Sequence, residues 1–155
     1  MTPLLKKLNF KEQKEVLILN HPLEFETEMN GIRSFTNVIT DINSLAQIEF
    51  VLTFITTKAE IDSITTLINK KLKGDGIVWY AYPKGTSKKY KSEINRDNGW
   101  EILAKSGFES VRQIAIDEDW SALRFRKVEF IKIMKRRTDF AKTPQGQLKT
   151  RNPEQ

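Results

Sequence analysis

The chain has 155 residues, of which 39% are hydrophobic and 30% charged, and it carries a net charge of +6. This length and composition predict one globular domain and exclude a collagen-like or wholly disordered chain. The absence of cysteine excludes disulfides and thiol chemistry, and the single histidine, His21, excludes a His-rich metal site. The longest apolar run, Ile77–Tyr82, is too short to span a membrane, so no membrane partner is expected.

Basic charge is concentrated at the carboxyl terminus. Residues 132–155 hold seven Lys or Arg and two Asp or Glu, so they contribute +5 of the +6. We predict a single α/β domain at residues 1–135 and a basic, flexible tail at residues 136–155. The tail is either a solvated terminus or a segment that binds nucleic acid. Because the first 15 residues are too charged for a secretory leader, a cytoplasmic location is expected.

The first half of the chain contains short continuous apolar runs that are typical of buried parallel strands. Val16–Leu19 is the first of these runs, and Phe50–Ile55 is another. Between them, a short helix is predicted from Pro22 to Gly31. The stretch Ser34–Ile42, which is rich in Thr, Val and Ile, is predicted to be a strand.

The clearest predicted helix begins at a capping box. The Thr57 hydroxyl can cap the third helical amide while Glu60 reaches back to the cap. Apolar residues then follow at helical spacing and should face the core: Ile61, Ile64, Leu67, Ile68 and Leu72. Gly74 is expected to end this helix before the next buried strand, Ile77–Ala81.

The last predicted elements are a short helix capped by Asn98 and a hairpin. Val111–Ile116 and Ala122–Phe130 are strands joined by a five-residue link, which indicates an antiparallel pair. Together the elements predict a three-layer, Rossmann-like α/β fold with a mainly parallel sheet and a C-terminal antiparallel hairpin. We expect the core of the sheet to come from Val16–Leu19, Phe50–Ile55, Ile77–Ala81 and Val111–Ile116.

A basic loop follows the strand at Ile77–Ala81. Residues 84–91, which we call the lysine loop, read Lys-Gly-Thr-Ser-Lys-Lys-Tyr-Lys. Ligands of open α/β sheets bind beyond the carboxyl ends of the strands, and lysines with hydroxyls suit a phosphate or another anion. The residues expected to contact such a ligand are Lys84, Thr86, Ser87, Lys88 and Lys89. The alternative is a solvated basic loop without a ligand, since the P-loop spacing is absent.

Three adjacent carboxylates, Asp117, Glu118 and Asp119, form an acidic turn between the last two strands. They could pair with the lysine loop, ligate a hard cation or simply form a polar hairpin turn. We place Asp117 in the candidate ligand site, where Trp120 either flanks the ligand or packs over the turn. Six residues that follow predicted strands are expected at one end of the sheet: Asn20, His21, Thr56, Thr57, Lys84 and Asp117.

The order of elements from about residue 50 to residue 130 resembles a known enzyme fold. A strand, a capped helix, the turn Lys73-Gly74-Asp75-Gly76, a strand, a short helix and a hairpin resemble the second half of a class I methyltransferase domain. The stretches at residues 79–85 and 115–124 are also similar to a family of small bacterial proteins of unknown function. Both resemblances imply a Rossmann-like fold.

The first strand departs from the methyltransferase pattern. It runs into Asn20-His21-Pro22 with no glycine in the next ten residues, and proline removes an amide donor. No acidic residue after the second strand is a clear ribose ligand. We therefore expect that no cofactor binds, S-adenosylmethionine included. His21 is interpreted as structural, with Glu24 near enough in sequence to orient it, and no catalytic residue or metal ligand is assigned.

These patterns favour a non-enzymatic, Rossmann-like binding or interaction module of bacterial type. Its expected ligand is a small anion or a phosphorylated molecule, bound by a loop at the carboxyl edge of the sheet. Two alternatives stay open. One is a divergent methyltransferase-like enzyme, and the other is nucleic-acid binding through the basic tail.

Overall fold

The computed structural model describes residues 1–131, and a six-stranded sheet runs through their centre. The strands are β1 (Glu15–Leu19), β2 (Asn37–Ile39), β3 (Ile48–Phe54), β4 (Leu72–Pro83), β5 (Phe108–Ala115) and β6 (Trp120–Lys127). Their order across the sheet is β2-β1-β3-β4-β6-β5. The first four strands run parallel, and β6 pairs antiparallel with both β4 and β5. The predicted mainly parallel sheet with a C-terminal antiparallel hairpin is therefore confirmed.

Helices cover the sheet on two sides, which makes the predicted three layers. They are α1 (Pro3–Lys7), α2 (Glu26–Arg33), α3 (Lys58–Lys71) and α4 (Glu101–Lys105). Three short 3-10 helices add to them at Leu23–Phe25, Ile42–Ser44 and Val128–Phe130. None of the helices within residues 1–131 is long and apolar enough to cross a membrane.

Each side of the sheet has its own apolar core. On the α3 side, Val51 and Tyr80 of the sheet pack with Ile61 of α3 and Leu103 of α4. On the opposite side, which we call the α2 side, buried strand residues including Leu52 pack with residues of α1 and α2. Because β1, β3 and β4 are central, both of their faces are buried over residues 16–19, 50–54 and 77–83. This explains their continuous apolar sequences.

Helix α3 begins with the predicted capping box but presents a different stripe to the sheet. Thr57 caps the amide of Glu60, and the Glu60 carboxylate accepts from the amide of Thr57. Thr65 is fully buried, whereas Leu67 is 37% exposed, so the prediction that Leu67 faces the core is wrong. The buried residues Ile61, Thr65 and Ile68 follow the spacing of a single helical face.

The chain passes from α3 into β4 without the predicted glycine stop. Helix α3 ends at Lys71, and β4 begins at the next residue, five residues earlier than predicted. Gly74 and Gly76 lie within the strand, where the β3–β4 register shifts between Ile48 and Phe50. A Cβ on Gly76 would lie 3.1 Å from the carbonyl oxygen of Ile48, so a close backbone approach accounts for this glycine.

The hairpin is confirmed, but the strand that is buried is β6 and not β5, which contains most of the segment predicted to be in the core. β5 is the outermost strand, and Val111 is 39% exposed. The prediction that Val111–Ile116 belongs to the core is therefore wrong. The buried residues come instead from β6, which lies between β4 and β5, with Leu123 at 3% and Phe125 at 0% exposure. An edge strand has one neighbour only, so much of its surface stays in solvent.

Candidate binding site at the carboxyl edge

The carboxyl ends of β1, β3 and β4 lie at one edge of the sheet, because these strands are parallel. The hairpin turn reaches the same edge, since Trp120 is the register partner of Pro83. The backbone amide of Lys84 donates to the carbonyl of Asp119 at 2.8 Å. The structure thus brings the lysine loop and the acidic turn together, as the strand directions predict.

A topological switch point lies between β1 and β3. The chain moves from β1 to β2 on one side and then to β3 on the other side of β1. In open α/β sheets the connections diverge at such a point and leave a crevice that binds ligands. Asn20 follows β1 here and has a φ of 59°, the left-handed conformation in which asparagine is tolerated better than most residues.

The lysine loop is fixed to the acidic turn through a serine. The Ser87 hydroxyl donates to Asp119 Oδ1 at 2.8 Å and accepts from the amides of Lys89 and Tyr90. The loop is therefore an ordered turn whose centre is the Ser87 side chain. Ser87 was predicted to contact a ligand, but in this structure its hydroxyl is already engaged by the protein.

The far end of the loop reaches the segment that follows β1. The Tyr90 hydroxyl donates to Glu24 Oε1, and Lys89 Nζ lies 3.5 Å from Glu24 Oε2. We call this contact between Tyr90, Lys89 and Glu24 the latch. The chain then crosses the end of β3, where the carbonyl of Thr56 accepts from the amide of Glu93. Residues 84–93 thus run along the carboxyl edge from β4 to the switch point.

The predicted ion pairing between the lysine loop and the acidic turn is wrong. Within residues 1–131, no ion pair joins Lys84, Lys88 or Lys91 to the acidic turn, and Lys89 pairs with Glu24 instead. Asp117 Oδ1 accepts the amides of Asp119 and Trp120, both at 2.8 Å. Its short side chain thus holds the hairpin turn, a common role for aspartate, and not the loop.

Trp120 packs inside the protein and does not flank the edge. It is 3% exposed, and its ring lies 5.0 Å from the ring of Phe54 and 5.0 Å from that of Tyr90. The prediction that Trp120 contacts a ligand is therefore not met in this structure, whereas packing over the turn is what the geometry shows. Tyr90 covers Trp120, so the latch also seals this aromatic contact from solvent.

His21 has a different partner from the one expected. Its Nε2 lies 2.7 Å from Glu26 Oε2, and Glu24 is engaged by Tyr90. Glu26 Oε1 also accepts from Arg33 at 3.1 Å. The hydrogen bonds from His21 and then Arg33 hold the pKa of Glu26 below its ordinary value. His21 therefore ties the β1 loop to α2, which agrees with a structural role.

Asp41 is an edge residue that the sequence analysis missed. Leu17 of β1 pairs with Ile39, the last residue of β2, so Asp41 stands level with the end of β1. Its Oδ1 accepts the amide of Asn43 at 2.9 Å, and its side chain is exposed. The predicted strand Ser34–Ile42 hid this position, because the strand ends at Ile39 and leaves Asp41 beyond it.

A concave region lies at the opposite edge of the sheet. It has a volume of about 730 Å³ and is lined by residues 11–15, residues 44–47 and Glu49. Its charged groups are of both signs, as with Lys14 and Glu15, and ligands of this architecture bind at the other edge. In the part of the chain that the structure describes, no three His, Asp or Glu side chains are grouped as metal ligands.

The latch has a defined pH range. The hydrogen bond to Glu24 raises the pKa of Tyr90 to about 12, and the same bond, with help from Lys89, lowers the pKa of Glu24. The favoured state thus has a neutral phenol and an ionised carboxylate. It persists from neutral pH up to about pH 12 and is lost when Glu24 is protonated in acid.

We predict that Tyr90→Phe loosens the lysine loop without unfolding the domain. The variant loses the hydroxyl that binds Glu24 but keeps the ring that packs on Trp120. Amide hydrogen exchange of residues 84–93 should become several-fold faster at pH 7. Tyr82→Phe is the matched control, because the Tyr82 hydroxyl accepts from Gln113 on the hairpin and not from the loop. Equal exchange in parent and Tyr90→Phe would show that the latch does not hold the loop.

Comparison with solved structures finds the same fold in methyltransferases. A SAM-dependent methyltransferase from Aquifex aeolicus matches with a TM-score of 0.54 at 12% sequence identity, over 79% of this chain and 87% of the other. The ribosomal protein L11 methylase from Lactobacillus delbrueckii subsp. bulgaricus matches with a TM-score of 0.50 at 11% identity, over 79% and 74%. The chain thus has a Rossmann-like fold of the methyltransferase type.

Sequence comparisons add no closer relationship. No protein-family profile matches the chain, and no curated protein matches it significantly. The expected similarity to a family of small bacterial proteins therefore has no support from these comparisons. Residues 136–155, the predicted basic tail, lie outside the described residues, so nucleic-acid binding through the tail stays a prediction.

Proposed function

We propose that this chain is a divergent methyltransferase-like protein that binds a nucleoside ligand of the S-adenosylmethionine type at the carboxyl edge. The observation that carries the proposal is the position of Asp41 beside the Asn20 turn, at the switch point of a methyltransferase-type sheet. The fold comparisons favour this alternative over the non-enzymatic module that the sequence favoured. A cytoplasmic location is part of the proposal.

Asp41 has the position and chemistry of a ribose ligand. In dinucleotide-binding folds, an acidic residue about 20 residues after the first turn accepts hydrogen bonds from ribose hydroxyls. Asp41 follows Asn20 at that separation and lies two residues beyond the end of β2, the strand next to β1. Among residues 1–131, one of its oxygens has a donor, the amide of Asn43, so the other oxygen is available to a diol.

Asn20 supplies the backbone turn that glycine usually supplies. The lack of glycine after β1 is one of the reasons to expect no cofactor, but Asn20 has the left-handed conformation that glycine adopts readily. Pro22 still removes one amide donor from the turn. We therefore expect weaker binding than a turn with all of its amide donors would give.

We predict that S-adenosylmethionine and its demethylated product bind the full chain saturably in calorimetry. Asp41→Asn should weaken this binding about tenfold or more, because a charge-assisted hydrogen bond contributes about 1.5–3 kcal/mol. Asparagine keeps an oxygen for the Asn43 amide, so the turn should persist. Glu49→Gln, which removes the same charge from the opposite edge of the sheet, should bind like the parent. If neither ligand binds the parent at 5 mM, the proposal is wrong.

A second candidate function is anion binding by the lysine loop without catalysis. The loop is held at Ser87 and Tyr90, while Lys84 and Lys88 have no acidic partner within residues 1–131. An ordered loop that carries unpaired cations and the exposed Thr86 suits a phosphate. Lys89 would have to leave Glu24 to take part.

We predict that Lys84→Ala with Lys88→Ala weakens pyrophosphate binding at least fivefold at low salt. The difference should shrink at high salt, because exposed charges are screened over about 8 Å at physiological ionic strength. Lys6→Ala with Lys7→Ala, which removes two exposed lysines from α1, is the matched control. Pyrophosphate affinity that is the same in both double variants would rule out a site in the loop.

A further inference from the structure

Two arginines face each other across the outer hairpin, and neither has an acidic partner in the part of the chain that the structure describes. Arg112 of β5 is the register partner of Arg124 of β6. Arg124 lies between Leu123 and Phe125, which pack on the α3 side, so Arg124 faces the α2 side. Among residues 1–131, neither arginine has a hydrogen bond or an ion pair. The hairpin therefore presents two unpaired guanidinium groups on one face.

A third arginine on this face, Arg126, does have an acidic partner. Arg126, two residues along β6, makes a two-pronged contact with Asp75, through Nε at 3.0 Å and Nη2 at 2.7 Å. The acidic residue of β5 on the same face, Glu109, is the register partner of Arg126 and not of Arg124. Positive charge thus remains in excess beside Arg112 and Arg124.

The arrangement of the arginine pair is unfavourable in the absence of an anion. Like charges directly opposite on neighbouring strands are destabilising. Arg124 Nε is also buried and donates to no acceptor among residues 1–131. An unsatisfied buried donor carries a desolvation penalty. Burial, and after it the nearby charge of Arg126, lowers the pKa of Arg124.

We propose that Arg112 and Arg124 together bind a phosphate group on the α2 side of the hairpin. A guanidinium offers two parallel N–H donors that match two oxygens of a phosphate, and two such groups on adjacent strands can share one phosphate. The bound anion relieves the repulsion between the arginines and gives Arg124 Nε an acceptor. The phosphate belongs either to a free phosphorylated molecule or to a nucleic-acid backbone.

This site is separate from the carboxyl edge. Arg124 lies four residues along β6 from Trp120, which marks that edge, so about 13 Å of strand separates them. Within the described residues, neither arginine makes a hydrogen bond or an ion pair with the lysine loop or with Asp41. The inference therefore does not depend on the proposed function, and variants can separate the two sites.

The test is a titration of the full chain with inorganic phosphate at constant ionic strength, with chloride as the reference anion. Arginine Nε–H resonances are followed by NMR and the melting temperature by thermal shift. The parent should show saturable shifts at Arg124 and a phosphate-dependent rise in melting temperature. Arg112→Gln with Arg124→Gln should abolish both effects. Arg124→Lys should weaken binding at least fivefold, because lysine keeps the charge and loses the fork.

Control variants distinguish the arginine pair from general charge. Arg96→Gln removes an exposed arginine elsewhere, and Lys84→Ala with Lys88→Ala removes two of the four lysines of the lysine loop. Both should keep the NMR shift at Arg124. The double Gln variant should fold, since it removes repulsion and an unsatisfied donor. Its far-ultraviolet circular dichroism and its melting temperature in chloride check this directly.

A second arm identifies the source of the phosphate. Adenosine monophosphate and a labelled single-stranded 12-nucleotide RNA are titrated against the parent and the double Gln variant. RNA binding that falls steeply with salt and is lost in the variant indicates a backbone phosphate. Binding of the monophosphate alone, lost in the same variant, indicates a small ligand. The proposal is overturned if phosphate causes no saturable shift in the parent, or if the double Gln variant binds phosphate like the parent.

Discussion

Trp79→Ala is expected to destabilise the domain by about 3–5 kcal/mol, the range for removing a large buried aromatic residue. Trp79 is fully buried in the central strand β4, in the core of the α2 side. Its Nε1 also donates to the carbonyl of Leu8 at 2.9 Å, which ties the end of α1 to the sheet. The substitution removes both the packing and this link.

Two further variants help to interpret this loss of stability: one isolates the hydrogen bond to Leu8, and the other is a surface control. Trp79→Phe keeps an aromatic ring but leaves the Leu8 carbonyl without its donor, which should cost about 1–3 kcal/mol. Leu67→Ala is the surface control, since Leu67 is 37% exposed and should contribute less than about 1 kcal/mol. Urea unfolding followed by circular dichroism measures all three. A Trp79→Ala effect no larger than that of Leu67→Ala would contradict the assigned core.

The sequence predicts the sheet well where burial and local pattern agree. Val16–Leu19 is wholly apolar, and Phe50–Ile55 is apolar except for the buried Thr53, because both faces of central parallel strands are covered. The Thr57–Glu60 capping box marks the start of α3 by local hydrogen bonds alone. These features depend on residues close in sequence, so the fold class follows from them.

Burial in the hairpin depends on information that is not local. Val111–Ile116 and Ala122–Phe130 both have the composition of strands, and neither shows which one lies at the edge. The structure places β6 beside β4, so Leu123 is covered and Val111 is exposed. Apolar content alone therefore misassigns the core when two strands of a hairpin are similar.

In the candidate site, the sequence predicts which residues lie at the edge of the sheet but not which side chains pair there. Strand direction alone predicts that Lys84 and Asp117 emerge at one edge. The actual acidic partner of Lys89 does not follow from the local sequence, because Glu24, which lies far away along the chain, pairs with Lys89 in place of the acidic turn. Asp117 has the right charge to pair with lysine, yet the amides of its own turn are closer and fully occupy one oxygen.

The hydroxyl pair between α3 and β4 is the second feature with a large expected effect. Thr65 and Tyr80 are both fully buried, and their oxygens lie 2.6 Å apart. Tyr80→Phe should cost about 1–3 kcal/mol, because it leaves the Thr65 hydroxyl buried without a partner. Thr65→Val should cost a similar amount for the same reason at Tyr80. The double variant should be much less destabilised than the sum, and a double-mutant cycle by urea unfolding measures this coupling.

Alkaline pH should reveal the same pair through the stability of the parent. Burial raises the pKa of Tyr80 above its ordinary value of 10.0, while the Thr65 hydrogen bond opposes this only in part. The folded state thus favours the neutral phenol of Tyr80. The contribution of this phenol to the free energy of unfolding is complete below pH 10 and is lost as the pH rises above 10. Above pH 10, the ionisation of Tyr80 in the unfolded state should lower the free energy of unfolding by about 1.4 kcal/mol per pH unit. Tyr80→Phe lacks this contribution, so the stability gap between parent and variant should narrow from pH 10 to pH 11.5. A gap that stays constant over this range would show that Tyr80 ionises equally easily in the folded and unfolded states.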